Sequence, residues 1–583
     1  MSNKLAIGKG ISVAASEASG ASAPALTATD IRLGENLPRR FLRMCRQAGR
    51  RSKAADSTGM DLTGQELLLR TLLLRRLLRR HVLASGEETV GVLLPPCVPS
   101  VLVNAALTLD RRVVVNLNYT LTAELLNQAC LAQAGVRHVI TSQKMLERFP
   151  LQLDAEMVLL EQLREKITPA DKLLAYLEAR WMPVCLLERF LGLHRIQWDD
   201  LMTIIFTSGS TGQPKGAMLT HGNIGANIEA FQQVLSLRAS DVLVGVLPFF
   251  HSFGYTVTLW TVLSLAPKGI YHTSPLEPRA IGDLCRRHGA TVLISTPTFL
   301  RNYLRRCEPE DFKTLDLIIL GAEAMPRDLA DAFEQKFGVR PVEGYGTTEL
   351  SPVVSVNIPP GREVPGREAG LREGTVGRPL PGVWAKVLDE QTGEELPTGR
   401  QGMLWIRGPN VMKGYLNQPE QTAQVLQNGW YQTGDLAILD PDGFIRITGR
   451  RSRFSKIGGE MVPHLRVEEV LRQVLQLEDA ENPCLAVTGL PHPTKGEQLV
   501  VLHTGLPKPP EEICQQLTQA GLPPLWTPSP ENFRQVEQIP ILSTGKLDLQ
   551  ALAQLAEELF SPTATLPSER PTGSAVPPED GAA

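Results

Sequence analysis

The sequence lacks the patterned cysteines and the strong net charge that mark several protein classes. Its eight cysteines include no Cys-x-x-Cys pair, so neither a disulfide framework nor a zinc knuckle is predicted, and a reducing cytoplasm is the expected location. The net charge is only −3, and no stripe of basic and aromatic residues runs along the chain. Both observations argue against a nucleic-acid partner.

Secretion signals and membrane-spanning patterns are missing as well. The N-terminal lysines precede an Ala/Ser/Gly-rich stretch that contains Glu17, which makes a poor signal-peptide core. Val242 to Pro267 runs for 26 residues without Asp, Glu, Lys or Arg, long enough to span a bilayer. Because Pro248 and Gly254 lie inside it, we predict two buried elements joined by a turn. The predicted location is cytoplasmic, with peripheral contact at the inner membrane left open.

Length and patterning predict a multidomain α/β protein. The chain has 583 residues with 43% apolar and 21% charged content, as in soluble globular proteins of at least two domains. Apolar runs at Val90–Leu94, Arg112–Val115 and His138–Ile140 alternate with helical stretches, which predicts βαβ units and mainly parallel sheets. Residues 1–36 are predicted to be a disordered leader and residues 561–583 a disordered tail.

A leucine-rich helix is predicted to begin at the capping box Thr63-Gly-Gln-Glu66 and to end near His81. Its other face carries five arginines, namely Arg70, Arg75, Arg76, Arg79 and Arg80. We interpret them as a solvated basic face, with a dock for an acidic carrier protein or an anionic lipid surface as the alternative. Residues 144–198 contain leucine-rich amphipathic stretches, including Lys172 to Arg189, to which no chemistry is assigned.

The stretch IIFTSGSTGQPKG, from Ile204 to Gly216, is typical of a phosphate-binding loop after a strand. Hydroxyl donors and glycines can form an anion-binding nest there, and Lys215 adds a positive charge. The candidate phosphate ligands are Thr207, Ser208, Gly209, Ser210, Thr211, Gly212 and Lys215. The spacing is neither that of a Walker A loop nor that of a G-x-G-x-x-G turn.

Six further motifs follow in order. They are VLPFFHSFG ending at Gly254, LGAEAM from Leu320, EGYGTTE ending at Glu349, GWYQTGDL ending at Leu436, ITGRRSRFSKIGGEMVP ending at Pro463 and ILSTGKLDL ending at Leu549. In this order the chain resembles the acyl-adenylate-forming (AMP-binding) superfamily from about Leu62 to Leu552. Within it, the hinge and HSFG motifs look most like bacterial acyl-acyl-carrier-protein synthetases, including the synthetase half of 2-acylglycerophosphoethanolamine acyltransferase. Long-chain fatty acyl-CoA synthetases are further relatives.

The resemblance implies attack of a carboxylate on the α-phosphorus of ATP, with Mg²⁺ as the second cofactor. Glu349 would ligate Mg²⁺ and Thr348 would touch the α-phosphate. The adenine slot would comprise Gly321, Ala322, Glu323, Gly344 and Tyr345, and Gly346 and Thr347 would be further cofactor-binding residues. Asp435 and Arg450 would hold the ribose hydroxyls. His251 would lie beside the entering carboxylate and the acyl channel.

A large N-terminal domain, residues 37–449, and a small mobile α+β C-terminal domain, residues 450–560, are implied, with a hinge near 450–453. In the small domain, Lys546 would act in adenylation and Lys456 in thioester formation. Arg450, Arg451, Arg453 and Lys456 form a cationic patch that would attract an acidic carrier protein.

Three function classes stay open. The first is a ligase that activates a fatty acid, with a long chain as the expectation, and transfers it to the phosphopantetheine thiol of acyl carrier protein or coenzyme A. The second is an acyltransferase system that passes the acyl group to a lysophospholipid through a separate partner. One His-x-x-x-x-Asp match, His194 to Asp199, exists, and we interpret it as a coincidence because no separate domain fits around it. The third is a non-catalytic nucleotide-binding protein.

Overall fold

The computed structural model describes residues 34–207, 214–366, 370–450, 453–457, 460–477, 483–492, 496–541 and 547–560. Contacts within the chain divide it into two units, one ending at Arg451 and one beginning at Ser452. The first unit is built from mixed sheets and helices, which confirms the predicted α/β class.

The strands of the large unit are short. They are β1 (Ser52–Asp56), β2 (Asp61–Thr63), β3 (Thr89–Val92), β4 (Val113–Asn116), β5 (His138–Thr141), β6 (Glu156–Leu159), β7 (Leu201–Thr207), β8 (Lys215–Thr220), β9 (Val242–Gly245), β10 (Lys268–Tyr271), β11 (Val292–Ser295), β12 (Leu317–Leu320), β13 (Val342–Gly346), β14 (Val353–Val356), β15 (Arg378–Pro379), β16 (Trp384–Leu388), β17 (Gln401–Arg407), β18 (Gly414–Tyr415), β19 (Leu426–Gln427), β20 (Trp430–Leu439) and β21 (Ile445–Arg450).

Its helices lie between and around these strands. They are α1 (Leu37–Ala48), α2 (Gly64–His81), α3 (Val98–Leu109), α4 (Ala123–Leu125), α5 (Ala132–Ala134), α6 (Gln143–Arg148), α7 (Leu160–Glu165), α8 (Pro169–Arg180), α9 (Val184–Phe190), α10 (His221–Val234), α11 (Thr261–Ser264), α12 (Pro278–His288), α13 (Pro297–Arg306), α14 (Arg327–Phe337) and α15 (Pro419–Val425). Leu126–Leu131 and Phe253–Trp260 are π-helical, and 3₁₀ turns include Leu193–Arg195, Pro309–Asp311 and Thr348–Leu350.

Three sheets organise the large unit. The order of the first is β15-β14-β13-β12-β11-β9-β10-β1-β2, and it is parallel from β13 through β1. The order of the second is β18-β8-β7-β4-β3-β5-β6, and it is parallel from β7 through β6. The third, antiparallel, has the order β16-β17-β20-β19 with β21 on β20. Parallel strands end at one edge of their sheet, so the loops after β9, β12 and β13 gather at the usual ligand-binding edge of such sheets.

The long uncharged run folds as predicted, into buried elements. β9 leads through a turn into the π-helix Phe253–Trp260 and then α11, and most of this segment is inaccessible to solvent. Within the part of the chain that the structure describes, no helix has both the length and the apolarity needed to cross a membrane.

Helix α2 confirms the predicted capping box, since Thr63 Oγ1 accepts from the Glu66 N–H (3.2 Å) and Glu66 accepts from the Thr63 N–H (2.9 Å). The predicted solvated basic face is wrong for Arg75 and Arg76, which are buried and partly buried, whereas Arg70, Arg79 and Arg80 are exposed. Four of the five arginines form ion pairs. The pairs are Arg75 and Arg79 with Asp110, Arg76 with Glu178, and Arg80 with Asp171. Two of these acids come from α8, whose packing against α2 the sequence did not reveal.

Asn36, the last residue of the predicted leader, is built into the fold, which corrects the prediction at that position. Asn36 caps α1 by accepting from the Arg39 N–H (3.2 Å), and its amide donates to the Leu193 carbonyl (3.0 Å). Burying an amide that forms both bonds fixes the start of α1.

The small unit packs helices on a sheet of order β23-β22-β25-β24, with β26 parallel to β25. Its elements are β22 (Phe454–Ile457), β23 (Glu460–Pro463), α16 (His464–Leu475), β24 (Leu485–His492), β25 (Gly496–His503), α17 (Pro510–Gln519), β26 (Phe533–Gln535) and α18 (Leu549–Phe560). Arg453 is buried in this unit, where it pairs with Glu468 (2.6 Å) and donates to the Val487 carbonyl (3.3 Å).

Candidate functional site

The predicted phosphate loop connects β7 to β8, which pair antiparallel with Thr207 opposite Lys215. The candidate ligands Ser208, Gly209, Ser210, Thr211 and Gly212 lie outside the described residues. At the described base of the loop, the Thr207 hydroxyl donates to the Lys215 carbonyl (3.5 Å). The Lys215 ammonium lies 5.5 Å from the ring centre of Tyr415, a distance suited to a cation–π contact.

Residues 344–349 form a central strand-to-turn segment, which we call the hub. Close packing surrounds two of its glycines and requires glycine at one of them, Gly346. A Cβ at Gly346 would lie 1.9 Å from the Pro352 carbonyl oxygen, and one at Gly344 would lie 3.3 Å from the Ser355 oxygen. Gly321 ends the neighbouring strand, and a Cβ there would come within 3.1 Å of the Phe253 ring. The backbone therefore has no room for a side chain at Gly346 and only a narrow space at Gly344 and Gly321.

The hub contacts the HSFG turn through Thr348. Its hydroxyl lies 3.2 Å from the Ser252 hydroxyl, so the two form a hydrogen bond in which either can donate. Ser252 directly follows His251, whose ring packs against Phe250 with centroids 4.6 Å apart. Two predicted site residues from distant motifs, His251 and Thr348, are thus brought to one place.

A second contact of the hub runs from Glu349 to the phosphate loop. Glu349 Oε1 accepts from the Tyr415 hydroxyl (2.8 Å). The Lys215 ammonium lies over the ring of the same tyrosine. Burial and the neighbouring Glu349 carboxylate raise the pKa of Tyr415, which keeps it a hydrogen-bond donor. Tyr415 therefore couples the predicted metal ligand to the predicted phosphate lysine.

The third contact joins the hub to β20 and β21. The Tyr345 hydroxyl donates to one oxygen of Asp435, and Arg450 Nε donates to the other (2.7 Å). Asp435 is only 1% exposed, and its charge raises the pKa of the Arg450 guanidinium. Burial first, and then the same carboxylate, raise the pKa of Tyr345. Each carboxylate oxygen keeps a second lone pair for another donor.

Other predicted slot residues have structural partners. Ala322 adopts a left-handed backbone with φ of 75°. Glu323 caps α13, because its carboxylate accepts from the N–H (3.2 Å) and the hydroxyl (2.7 Å) of Thr298. By contrast, the buried hydroxyl of Thr347, in the hub, has no partner among the described residues.

The two lysines predicted to be catalytic, Lys546 and Lys456, belong to the small unit. Lys546 lies outside the described residues. Lys456 lies in β22, opposite Met461 of β23. Two residues of the predicted cationic patch pair with carboxylates, although only Arg453 is buried and Arg450 stays exposed. The charge of Arg450 is taken up by Asp435, and Arg453 is buried against Glu468, since a buried guanidinium requires a carboxylate partner.

Sequence reasoning missed two residues of the site, Tyr415 and Ser252. The turn motif contained Ser252 but only its neighbour His251 was singled out. Tyr415 follows Gly414 in β18, which pairs with β8 beyond the phosphate loop. Its only sequence signal was an aromatic hydroxyl after a glycine, which is too common to identify a site.

The donor set at the hub fits Mg²⁺ shared with phosphates. Among the described residues, no group of three His, Cys, Asp or Glu could hold a metal ion by itself. Mg²⁺ in nucleotide enzymes is held by one or two carboxylates, and phosphates and water complete its shell. A single carboxylate, Glu349, next to an unpartnered hydroxyl and a glycine-lined backbone matches that requirement.

Comparison with known proteins agrees with this geometry. The AMP-binding enzyme family matches residues 42–416. The long-chain-fatty-acid–CoA ligase of Bacillus subtilis (strain 168) is 33% identical over 362 residues, 60% of this chain and 60% of its own. The enzyme of that name from Escherichia coli O6:H1 is 30% identical over 308 residues, 52% of each chain. This chain thus spans between about half and three-fifths of the length of these relatives.

A solved structure with the same fold has ATP bound. MatB from Rhodopseudomonas palustris, crystallised with ATP, superposes with a TM-score of 0.72 at 25% identity and covers 90% of this chain and 100% of its own. The anthranilate CoA ligase AuaEII with anthranoyl-AMP, at 20% identity and a TM-score of 0.71, shares the fold.

Proposed function

Because the chain belongs to the AMP-binding enzyme family, we propose that it is an ATP-dependent acid–thiol ligase. It activates a long-chain fatty acid as an acyl adenylate and transfers the acyl group to coenzyme A. The observation that carries the proposal is the hub, where residues from five separated motifs meet within hydrogen-bond or ring-contact distance.

In the first half-reaction, the fatty carboxylate attacks the α-phosphorus of ATP, and pyrophosphate leaves. Two anions must approach each other, so cations and hydrogen-bond donors carry most of the catalysis. Mg²⁺, when bound, would neutralise phosphate charge. Glu349 would hold it, oriented by the Tyr415 hydroxyl, while Lys215 would bind the leaving phosphates and Thr347 and Thr348 would donate to phosphate oxygens.

Asp435 and Arg450 have a positioning role in this proposal. Asp435 is fixed by two donors at 2.7 Å or closer, so its remaining lone pairs point in a defined direction. A ribose diol can donate to them, which would hold the nucleotide with its α-phosphate beside Thr348. Lys546 would bring an ammonium to the reacting carboxylate from the small unit.

The length of the acyl chain is proposed from the composition of the HSFG segment. The π-helix Phe253–Trp260 is almost entirely buried and apolar, and Phe299 and Leu300 of α13 are buried as well. π-Helical turns are frequent at functional sites because they displace side chains from the regular helical ladder. We assign this segment to the wall of the acyl channel, with His251 at its carboxylate end.

Coenzyme A is proposed over acyl carrier protein for two reasons. The cationic patch that favoured an acidic carrier protein loses Arg450 and Arg453 to internal ion pairs. The relatives with 30–33% identity are named as CoA ligases. Lys456 would serve this second half-reaction.

The His194-x-x-x-x-Asp199 pattern is not part of the proposal. Asp199 is exposed, and its carboxylate accepts from Lys413 (2.7 Å). A general-base pair requires the carboxylate to orient the histidine instead.

The test is ATP–pyrophosphate exchange with fatty acids of increasing length, followed by thioester formation with coenzyme A and with holo-acyl carrier protein in parallel. We expect exchange that rises with chain length and is lost in Lys546→Ala. Lys456→Ala should keep exchange and lose thioester formation. Lys508→Ala, which changes a half-buried lysine of the same unit paired with Glu512, is the matched control. No exchange with any carboxylate would reject the ligase, and thioester on the carrier protein alone would reject coenzyme A as acceptor.

A further inference from the structure

In helices α8 and α9 the acidic side chains face the protein interior and the basic side chains face solvent. An ordinary surface helix exposes charged side chains of both signs. Residues 169–190 contain three acids and three basic residues. All three acids, Asp171, Glu178 and Glu188, are buried. All three basic residues, Lys172, Arg180 and Arg189, are exposed. An amphipathic helix normally buries its apolar stripe and exposes its charges.

The inward acids are held by arginines of α1 and α2. Asp171 pairs with Arg80 (2.8 Å), and Glu178 pairs with Arg76. Glu188 accepts from two arginines of α1, Arg39 (2.9 Å) and Arg43 (2.8 Å). Because every acid is neutralised inside, α8 and α9 add only positive charge to the surface.

The outward residues are large and apolar. Trp181 is 68% exposed, and Leu173 and Phe190 are each 59% exposed. The complete outward apolar set, which we call the apolar face, is Leu173, Leu174, Tyr176, Leu177, Trp181, Leu186 and Phe190. The Arg180 guanidinium lies 5.6 Å from the Trp181 ring centre. Leucines with tryptophan, tyrosine and cations beside them are the composition of interfacial membrane helices.

We propose that the apolar face with Lys172, Arg180 and Arg189 is a docking surface for an anionic lipid bilayer. The apolar side chains enter the acyl boundary, Trp181 and Tyr176 lie at the headgroup level, and the three cations bind lipid phosphates. The proposal concerns this surface alone and does not depend on the proposed ligase activity.

Charge disfavours a second copy of the chain as the occupant. In a twofold dimer the same patch meets itself, so the three cations of one copy would face those of the other. No acid of α8 or α9 lies on the outward side to pair with them. A bilayer containing phosphatidylglycerol supplies both the apolar depth and the negative charge that the surface lacks.

Cys185 allows a direct test, because it is the one exposed cysteine of the chain. It lies in α9, beside residues of the apolar face. We would label it with an environment-sensitive maleimide dye and add vesicles of phosphatidylcholine alone or of phosphatidylcholine mixed with phosphatidylglycerol. The dye should move to an apolar environment with the anionic vesicles, and the protein should float with them in a density gradient. The Cys185→Ser variant, exposed to the same reagent, controls for labelling elsewhere.

Two sets of substitutions separate the contribution of the apolar side chains to vesicle binding from the contribution of the three cations. Leu173→Ser, Trp181→Ser and Phe190→Ser together should weaken vesicle binding at least about tenfold, because they remove the most exposed part of the apolar face. Lys172→Glu, Arg180→Glu and Arg189→Glu together should weaken it at least as much on anionic vesicles. The matched controls are Leu276→Ser with Trp384→Ser, and Lys313→Glu with Arg400→Glu, which alter exposed residues elsewhere.

Three outcomes would overturn the proposal: no binding to either vesicle, equal binding by the variants and wild type, or a concentration-dependent dimer that the serine variant abolishes. Binding of holo-acyl carrier protein to the face, without vesicle binding, would assign it to a protein partner instead. Exchange activity with octanoate, a soluble acid, is measured on each variant. Retained exchange with lost vesicle binding shows that the docking surface and the ligase reaction fail independently.

Discussion

Asp435 and Glu188 are the same structural device in two regions of the molecule. Each is a buried carboxylate whose two oxygens are divided between two donors, Tyr345 and Arg450 for Asp435, and Arg39 and Arg43 for Glu188. Each raises the pKa of an arginine, that of Arg450 and that of Arg43. The difference lies in what the device connects.

At the hub, the carboxylate connects residues that sequence motifs had already marked. In the α8–α9 region, Glu188 connects α9 to α1, and neither helix contains a recognised motif. The outward residues of α8 and α9 form the proposed docking surface. The comparison shows that a buried charge pair is evidence about function only through its surroundings. We expect Asp435 to matter for activity and Glu188 to matter for stability.

The largest effect is expected for Asp435→Ala. Removing the carboxylate releases Tyr345 and Arg450 and removes the proposed ribose acceptor, so kcat/KM for ATP should fall about 1,000-fold, or roughly 4 kcal/mol. Tyr345→Phe, which removes one hydroxyl, should cost about tenfold. The measurement is pyrophosphate exchange at varied ATP. A loss below tenfold in Asp435→Ala would make this carboxylate merely structural.

Glu188→Gln should produce the opposite pattern. A buried acid is replaced while two arginines keep their charge, which should lower the free energy of unfolding of the large unit by about 2 kcal/mol, because the arginines are partly solvated. Exchange activity at low temperature should stay within twofold of wild type. Glu229→Gln, which breaks the more exposed pair with Arg40, should cost less than about 1 kcal/mol. Equal urea midpoints for the two variants would contradict the comparison.

Acid should destabilise both units through buried neutral histidines. Burial lowers the pKa of His221 to about 4, with Asp200 opposing the shift, and burial together with Arg453 lowers the pKa of His464 to about 3. The unfolded chain takes up these protons near pH 6.5, so the stability present above that pH is lost as pH falls toward the folded values. Each histidine should cost about 2 kcal/mol between pH 7 and pH 5.

Hydrogen exchange of α10 and α16, followed between pH 7 and pH 5, checks this expectation for the two units separately. The opening free energy of α16 should become less dependent on pH in His464→Gln, while that of α10 should keep its dependence. His464 lies 2.8 Å from the Ser455 hydroxyl, and glutamine can keep a hydrogen bond there. An opening free energy that is constant with pH in the wild type would show that the histidines have the same pKa in the folded and unfolded states.

The smallest effect is expected for Tyr415→Phe. The ring that faces Lys215 remains, and only the hydrogen bond to Glu349 is lost, which should cost about 1 kcal/mol, or about fivefold in kcat/KM for ATP. The concentration of Mg²⁺ giving half-maximal activity should rise in the same variant. If it does not change, Tyr415 orients the phosphate loop rather than the metal ligand.

Much of the fold and part of the site could be predicted from the sequence. The α/β class, the α2 capping box and the buried uncharged run follow from local patterns, and these predictions are confirmed. The Tyr345–Asp435 pair spans 90 residues, and only the resemblance indicated that its members belong together.

Other features could not be predicted for a physical reason. The charge partners of α2 depend on how α8 is rotated about its axis, and helical periodicity does not define which face turns inward when both faces contain leucines and charges. For the same reason the sequence pattern gave residues 172–189 no role. Tyr415 lies at the base of the phosphate loop because β18 pairs with β8, and no local sequence pattern predicts that pairing.

The inward acids of α8 and α9 also have an evolutionary consequence. Ion pairs with α1 and α2 help to attach these helices, and none of the seven residues of the apolar face belongs to the large core cluster. Substitutions among them therefore disturb the core less than substitutions of buried residues. Selection can therefore adjust this surface to a different environment in small steps, while the large unit beneath it keeps its stability.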